Sequence, residues 1–143
     1  MKLVISKTVD YDELFIEWLV EEIKFELMKL LDSRKLRNMI EYIDSNDAIR
    51  DKLGILNIDS VGSIITASID EIVYTELKSA YIIQVNPAAK IIGVNIPLAS
   101  LCRMVNYGFM DVKGYPLFTT VFNRVKSNLS RYYAIYFNRY FVV

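Results

Sequence analysis

At 143 residues and 53% hydrophobic, the chain has the size of one domain spanning 1–143, since folding at this length buries roughly 70% of the unfolded chain's surface. Seventeen basic and seventeen acidic residues cancel, which excludes a global field that would draw in nucleic acid or an anionic membrane surface. Histidine is absent and cysteine occurs once, which removes the commonest general base, the commonest metal ligand and thiolate zinc sites.

The opening KLVIS reads as extended, suited to an edge strand. Asp10 followed by Glu13 has the spacing of a capping box, so a helix is expected from there. Leu14, Phe15, Trp18, Leu19, Ile23, Leu27, Leu30 and Leu31 recur at the three- and four-residue steps of one buried face, with Glu13, Glu17 and Glu21 opposite. Near Asp32 and Ser33 the pattern pauses before Leu36, Met39, Ile40 and Ile43 resume it, as one bent helix or two. A short helical turn is expected over 47–53, stopped by Gly54 in a left-handed conformation. From 54 to 78 the chain is β-branched without a clean period, and strand and helix compete.

AYIIQVNPAAKIIGVNI places two β-branched runs around the turn-forming NPAAK, which predicts an antiparallel hairpin. Pro97 permits a new helix with Leu98, Leu101, Cys102 and Val105 inward, ended by Gly108. Gly114 and Pro116 punctuate the next loop, and one long helix is expected from about Pro116 toward Tyr140, striped by Phe118, Val121, Phe122, Val125, Leu129, Tyr132, Tyr133 and Tyr136. The expected fold is α+β, with long N-terminal and C-terminal helices packed on a small antiparallel sheet.

Cys102 lies in an apolar run, where a thiol behaves as a small hydrophobe, and a single cysteine suits a reducing compartment. No apolar run approaches the roughly 20 residues of a spanning helix, and the N-terminal apolar stretch is too short for an export signal. The expectation is a soluble intracellular product without membrane contact. Asp44, Asn46 and Asp47 begin like a calcium loop, but Ile49 and Ile55 stand where it needs glycine and glutamate. No glycine-rich phosphate loop exists, and the glycosylation triplet at Asn128 falls inside a predicted helix. No cofactor and no catalysis are expected.

Charge is unevenly spread. From Pro97 onward Arg103, Lys113, Arg124, Lys126, Arg131 and Arg139 face the single acid Asp111, whereas residues 10–26 carry seven acids against Lys24. Such ends suit either packing within the subunit or head-to-tail contact between copies. In the tail RYYAIYFNRYFVV, Tyr132, Tyr136 and Tyr140 form one i, i+4 row, with Tyr133, Phe137 and Phe141 beside it. Either one row lines the core, or the tail is an interface anchored by tyrosine and arginine. Base stacking with arginines on phosphates is the third reading.

One stretch gives the chain a family likeness. A short helix ending in Tyr107-Gly108, a loop, Pro116-Leu117-Phe118 and a last amphipathic helix stand in that order, after Gly62, Ile64, Ser68 and Ile69 upstream. The arrangement resembles the head-tail joining or tail-completion (neck) proteins of long-tailed bacteriophages. Their typical signature is E-Y-G-T, then P-F-L before the last helix, with an earlier T-G-x-L-x-x-S-I. Here Asn106 stands for the acid, Phe109 for the threonine and Val61 for the earlier threonine. The resemblance covers residues 60 to 138 and implies a non-enzymatic α+β subunit, forming a homo-oligomeric ring between the portal or connector and the tail. It implies a place in the virion neck, with assembly in the host cytoplasm and DNA met only as it passes through the ring. The implied contact residues are Tyr107, Gly108, Phe109, Tyr115 and Phe118 of the loop, with Arg131, Tyr133, Phe137, Arg139, Tyr140 and Phe141 of the tail. The alternative is a small phage or host regulator that binds a protein or nucleic-acid target through the aromatic, basic C-terminal helix.

Overall fold

The computed structural model describes residues 1–55 and 60–142. In chain order its elements are β1 (Leu3–Ser6), α1 (Glu13–Leu30), α2 (Arg34–Asp44), α3 (Asp47–Lys52), α4 (Val61–Asp70), β2 (Ile72–Glu76), β3 (Ala80–Val85), α5 (Leu98–Tyr107), β4 (Gly108–Phe109), β5 (Val112–Lys113), α6 (Leu117–Ser127) and α7 (Leu129–Phe141). The fold is α+β: an antiparallel sheet of order β1-β3-β2, a separate β4-β5 hairpin, and helices that build most of the core.

Helix α1 is the axis of the molecule, touching β2, α4, α6 and α7. Because it is covered on several sides, its buried set is wider than one stripe: Phe15, Ile16, Leu19, Val20, Ile23 and Leu27 are enclosed, while Leu14 is exposed. Its N-cap is Asp12, whose carboxylate accepts from the Phe15 amide at 3.1 Å, and not Asp10 as the capping-box spacing suggests. Thr8 Oγ1 accepts from the Tyr11 amide just upstream and sets the entry of the chain. The pause near Asp32 and Ser33 is a true break, so α1 and α2 are two helices. Gly54 stops the short α3 region at φ 71.

The region left open in the sequence divides into α4 and β2, with residues 56–59 outside the described residues. Helix α4 begins where Asp44, at the end of α2, accepts from the Val61 amide at 2.9 Å and from Ser60 Oγ at 2.7 Å. Arg50 closes on the same carboxylate at 3.2 Å. The aspartate beginning the rejected calcium motif is therefore a tertiary helix cap.

Strand β3 forms as expected, but the hairpin across NPAAK does not. Both edges of β3 are already filled, by β1 in the register Ile5↔Tyr81 and by β2 in the register Tyr74↔Ile83. Residues 91–96 therefore turn away, with Gly93 at φ 91 and Val94 bridging Ile55. The inward row of the sheet is Leu3, Ile5, Ile72, Tyr81, Ile83 and Val85, all buried. Period-two alternation puts Val4 and Val73 on the open face.

The single long C-terminal helix is also corrected. It breaks at Asn128 (φ −121, ψ 26), whose side-chain amide donates to the Arg124 carbonyl at 2.8 Å and so competes with the helical ladder. Helix α6 is a core element with Leu117, Phe118, Val121, Phe122 and Val125 buried, whereas α7 buries only Tyr136.

Candidate functional site

Two parts of the surface concentrate large apolar side chains, and each grows out of a packed structural device. The first is the clasp from α5 to α6. Gly108 ends α5 at φ 90, and a Cβ there would meet Gly114 N and Val112 O, each at 2.8 Å. A Cβ on Gly114 would lie 2.4 Å from the Tyr107 carbonyl carbon. Only glycine at both positions lets the two backbone segments cross so closely. Asn106, 2% exposed, then reaches across this crossing: its Oδ1 accepts from the Phe118 amide at 3.0 Å and the Thr119 amide at 3.2 Å. Its Nδ2 donates to Thr119 Oγ1 at 3.3 Å. A side chain twelve residues away thus caps α6 in place of Pro116, which provides no side-chain bond.

This clasp sorts the loop residues. Phe118 is fully buried in the first turn of α6 and unavailable to any partner, which corrects its assignment to the contact surface. Gly108 serves the crossing, and Phe109 and Tyr115 are half-buried against the core. Tyr107 is 60% exposed and Met110, at the hairpin turn, 63%; Met110 holds φ 51 without being glycine. Tyr115 borders a groove of about 680 Å³ with Met39 and Pro116, flanked by Lys35 and Lys113.

The second part is the end of α7. Tyr11, Phe15, Trp18, Tyr133 and Tyr136 form a ring cluster with centroids 5.3 to 5.6 Å apart at the Phe15–Tyr133, Phe15–Tyr136, Trp18–Tyr136 and Tyr11–Tyr133 contacts. Offset and edge-on pairs of this kind add to the burial of the rings. The series of rings runs on beyond the core through Tyr136–Tyr140 at 5.3 Å and Phe137–Phe141 at 5.3 Å. There Phe137, Tyr140 and Phe141 are 42%, 59% and 58% exposed. The two rows therefore do not divide into one buried and one exposed. The division runs along the axis: Tyr132, Tyr133 and Tyr136 are packed against the core, and the large side chains of the last turns are exposed. Arg131 and Arg139 are exposed on the same helix.

The acidic and basic segments are not opposite poles. Arg124 approaches Glu26 at 3.9 Å, and the Tyr132 hydroxyl donates to the other oxygen of the same carboxylate. Burial, then this hydrogen bond, pushes the Tyr132 hydroxyl up to about 12. Arg139 borders a groove of about 650 Å³ with Glu17, Glu21 and Glu22, over Leu14, Trp18, Tyr136, Tyr140 and Phe141. Two of the C-terminal cations, Arg124 and Arg139, thus lie beside carboxylates of α1.

Chemistry elsewhere is muted. The Cys102 thiol is buried and raised to about 11 by desolvation, so it stays protonated at neutral pH. Among the described residues no group of three or more His, Cys, Asp or Glu side chains is placed to hold a metal ion, and no helix is long and apolar enough to cross a membrane. Asn106 and Asp44 are the residues sequence reasoning missed, and their partners lie 12 and 17 positions away, beyond any local spacing rule. Compared with known proteins, the chain matches no family model, no curated protein and no solved structure.

Proposed function

We propose that this chain is a non-enzymatic structural subunit of the neck of a long-tailed bacteriophage, working in a ring that joins the portal or connector to the tail. The observation that carries the reading is the end of α7, where three exposed aromatic side chains continue a packed ring cluster. Contiguous apolar surface of this kind marks a site covered by another polypeptide, and tyrosine and arginine beside it are the residue types that anchor such contacts. The clasp lends support to the likeness. In the neck-protein signature an acid precedes the Tyr-Gly pair, and the Asn106 position accepts two backbone amides at a helix start, a task a carboxylate performs equally well.

The subunit takes no cofactor, assembles in the host cytoplasm and resides in the virion neck. Tyr107, Arg131, Phe137, Arg139, Tyr140 and Phe141 are its contact residues, with Phe109, Tyr115 and Tyr133 supporting them from partly buried positions. The regulator that reads nucleic acid through the tail is disfavoured by the carboxylates of α1 beside Arg124 and Arg139, which oppose phosphate. Light scattering with mass measurement tests the proposal. A defined complex with portal or tail protein is expected, and a strict monomer at high concentration, alone and with both proteins, refutes it.

A further inference from the structure

Between α1 and the break that separates α6 from α7 lies a cavity of about 320 Å³. From α1 it is lined by Trp18, Glu22 and Glu26, which follow one another at steps of four residues, so both carboxylates stand on the same helix face. Arg124 lines it from before the break, and Arg131 and Ile135 from after it. Acids thus come from one side and arginines from the other, two of each. These charges are not used up within the subunit. Glu26 Oε1 accepts from the Tyr132 hydroxyl, but Glu26 Oε2 is buried and no donor of the protein reaches it, since Arg124 Nη1 stops at 3.9 Å, beyond hydrogen-bond distance. Among the described residues no other buried side-chain nitrogen or oxygen is left without a hydrogen-bond partner, and leaving a buried acceptor unmatched is costly. Glu22 and Arg131 form no salt bridge and no side-chain hydrogen bond among the described residues.

We infer that this cavity binds a free α-amino acid with an apolar side chain. The ammonium group donates to Glu26 Oε2 and to Glu22, the carboxylate accepts from Arg131, and the side chain lies against Trp18 and Ile135. The charges select the class. A simple cation would meet two arginines and a simple anion two carboxylates, whereas a zwitterion sets each of its charges against the opposite one. The volume falls at the lower end of small-molecule pockets, about 300–1,000 Å³, which suits a ligand of this size. Binding here needs no second protein, so its outcome is independent of the assembly proposed above.

Trp18 is the one tryptophan of the chain, so its fluorescence reports occupancy of the cavity. Titration of the full chain with L-leucine, repeated by isothermal calorimetry, is expected to show saturable binding at millimolar concentration or below, together with a rise in melting temperature. N-acetyl-L-leucine lacks the ammonium group and L-leucinamide lacks the carboxylate. Each is expected to bind at least about tenfold more weakly, because each forgoes a charge-assisted contact. The same loss is expected when L-leucine is titrated into Glu22→Gln or Arg131→Gln, changed at a half-buried and an exposed side chain and each checked by its helical circular dichroism. The two analogues probe the unaltered protein, so a variant that fails to fold does not decide the matter. No saturable binding of L-leucine at millimolar concentration, an analogue that binds as tightly as L-leucine, or a folded variant that binds as the wild type does overturns the inference.

Discussion

Replacing Asn106 by alanine tests the clasp and, through it, the positioning of every proposed contact residue after α5. The substitution removes the acceptor for the Phe118 and Thr119 amides and the donor to Thr119 Oγ1, at a site 2% exposed. Loss of a cap costs about 0.5–2 kcal/mol, and leaving a buried amide without a partner adds about 1–3 kcal/mol. The terms overlap, because one amide is counted in both, so a loss of about 3 kcal/mol is expected. For a chain of this size that lowers the melting temperature by roughly 10 °C. Urea denaturation followed by circular dichroism gives the free energy directly, with an unchanged slope confirming that only stability has moved. Asn106→Asp keeps the acceptor and places negative charge at a helix N-terminus, where the dipole favours it. It is expected to retain most of the stability that alanine loses. An alanine variant within about 0.5 kcal/mol of wild type, or an aspartate variant as unstable as alanine, refutes the reasoning.

Gly114→Ala is expected to destabilise by more than about 2 kcal/mol, since its Cβ would lie 2.4 Å from backbone that cannot yield, and thermal melts check this. Cys102 is expected to resist iodoacetamide in the native state at pH 7 and to react in urea, because burial holds its pKa at about 11. Rapid native labelling contradicts that burial. Tyr132 titrates near 10 in the unfolded chain and at about 12 when folded. Its contribution is fully present below pH 10 and is lost as pH rises through 12, so Tyr132→Phe is expected to flatten the fall in stability across that window. Phe141→Asp, at a side chain 58% exposed, is expected to change stability by less than about 0.5 kcal/mol, whereas Phe15→Ala in the ring cluster costs about 3–5 kcal/mol.

Elements fixed by local pattern were legible from the residues alone. The inward faces of α1 and α5, the left-handed stops at Gly54 and Gly108 and the extended β1 follow from periodicity and backbone freedom. Choices decided by competition at a distance were not. Residues 91–96 have the composition of a strand, but β1 and β2 already occupy both edges of β3. Asn128 has no local mark that distinguishes a helix interior from a break, and its bond to the Arg124 carbonyl decides it. Leu14 matches the apolar period of α1 yet lies outside, because what covers a helix face is set by the neighbouring elements. In the tail, periodicity identified both aromatic rows, but exposure rises toward the end of α7, where Phe137, Tyr140 and Phe141 are exposed while Tyr136 is buried.

In the proposed neck, other polypeptides cover the end of α7 when the chain does its work. If the chain is the neck subunit proposed above, electron microscopy of phage particles made with Phe137→Asp and Phe141→Asp together is the sharpest test, because both side chains are exposed. Filled heads and free tails that fail to join are expected. Intact tailed particles at wild-type yield contradict the proposal.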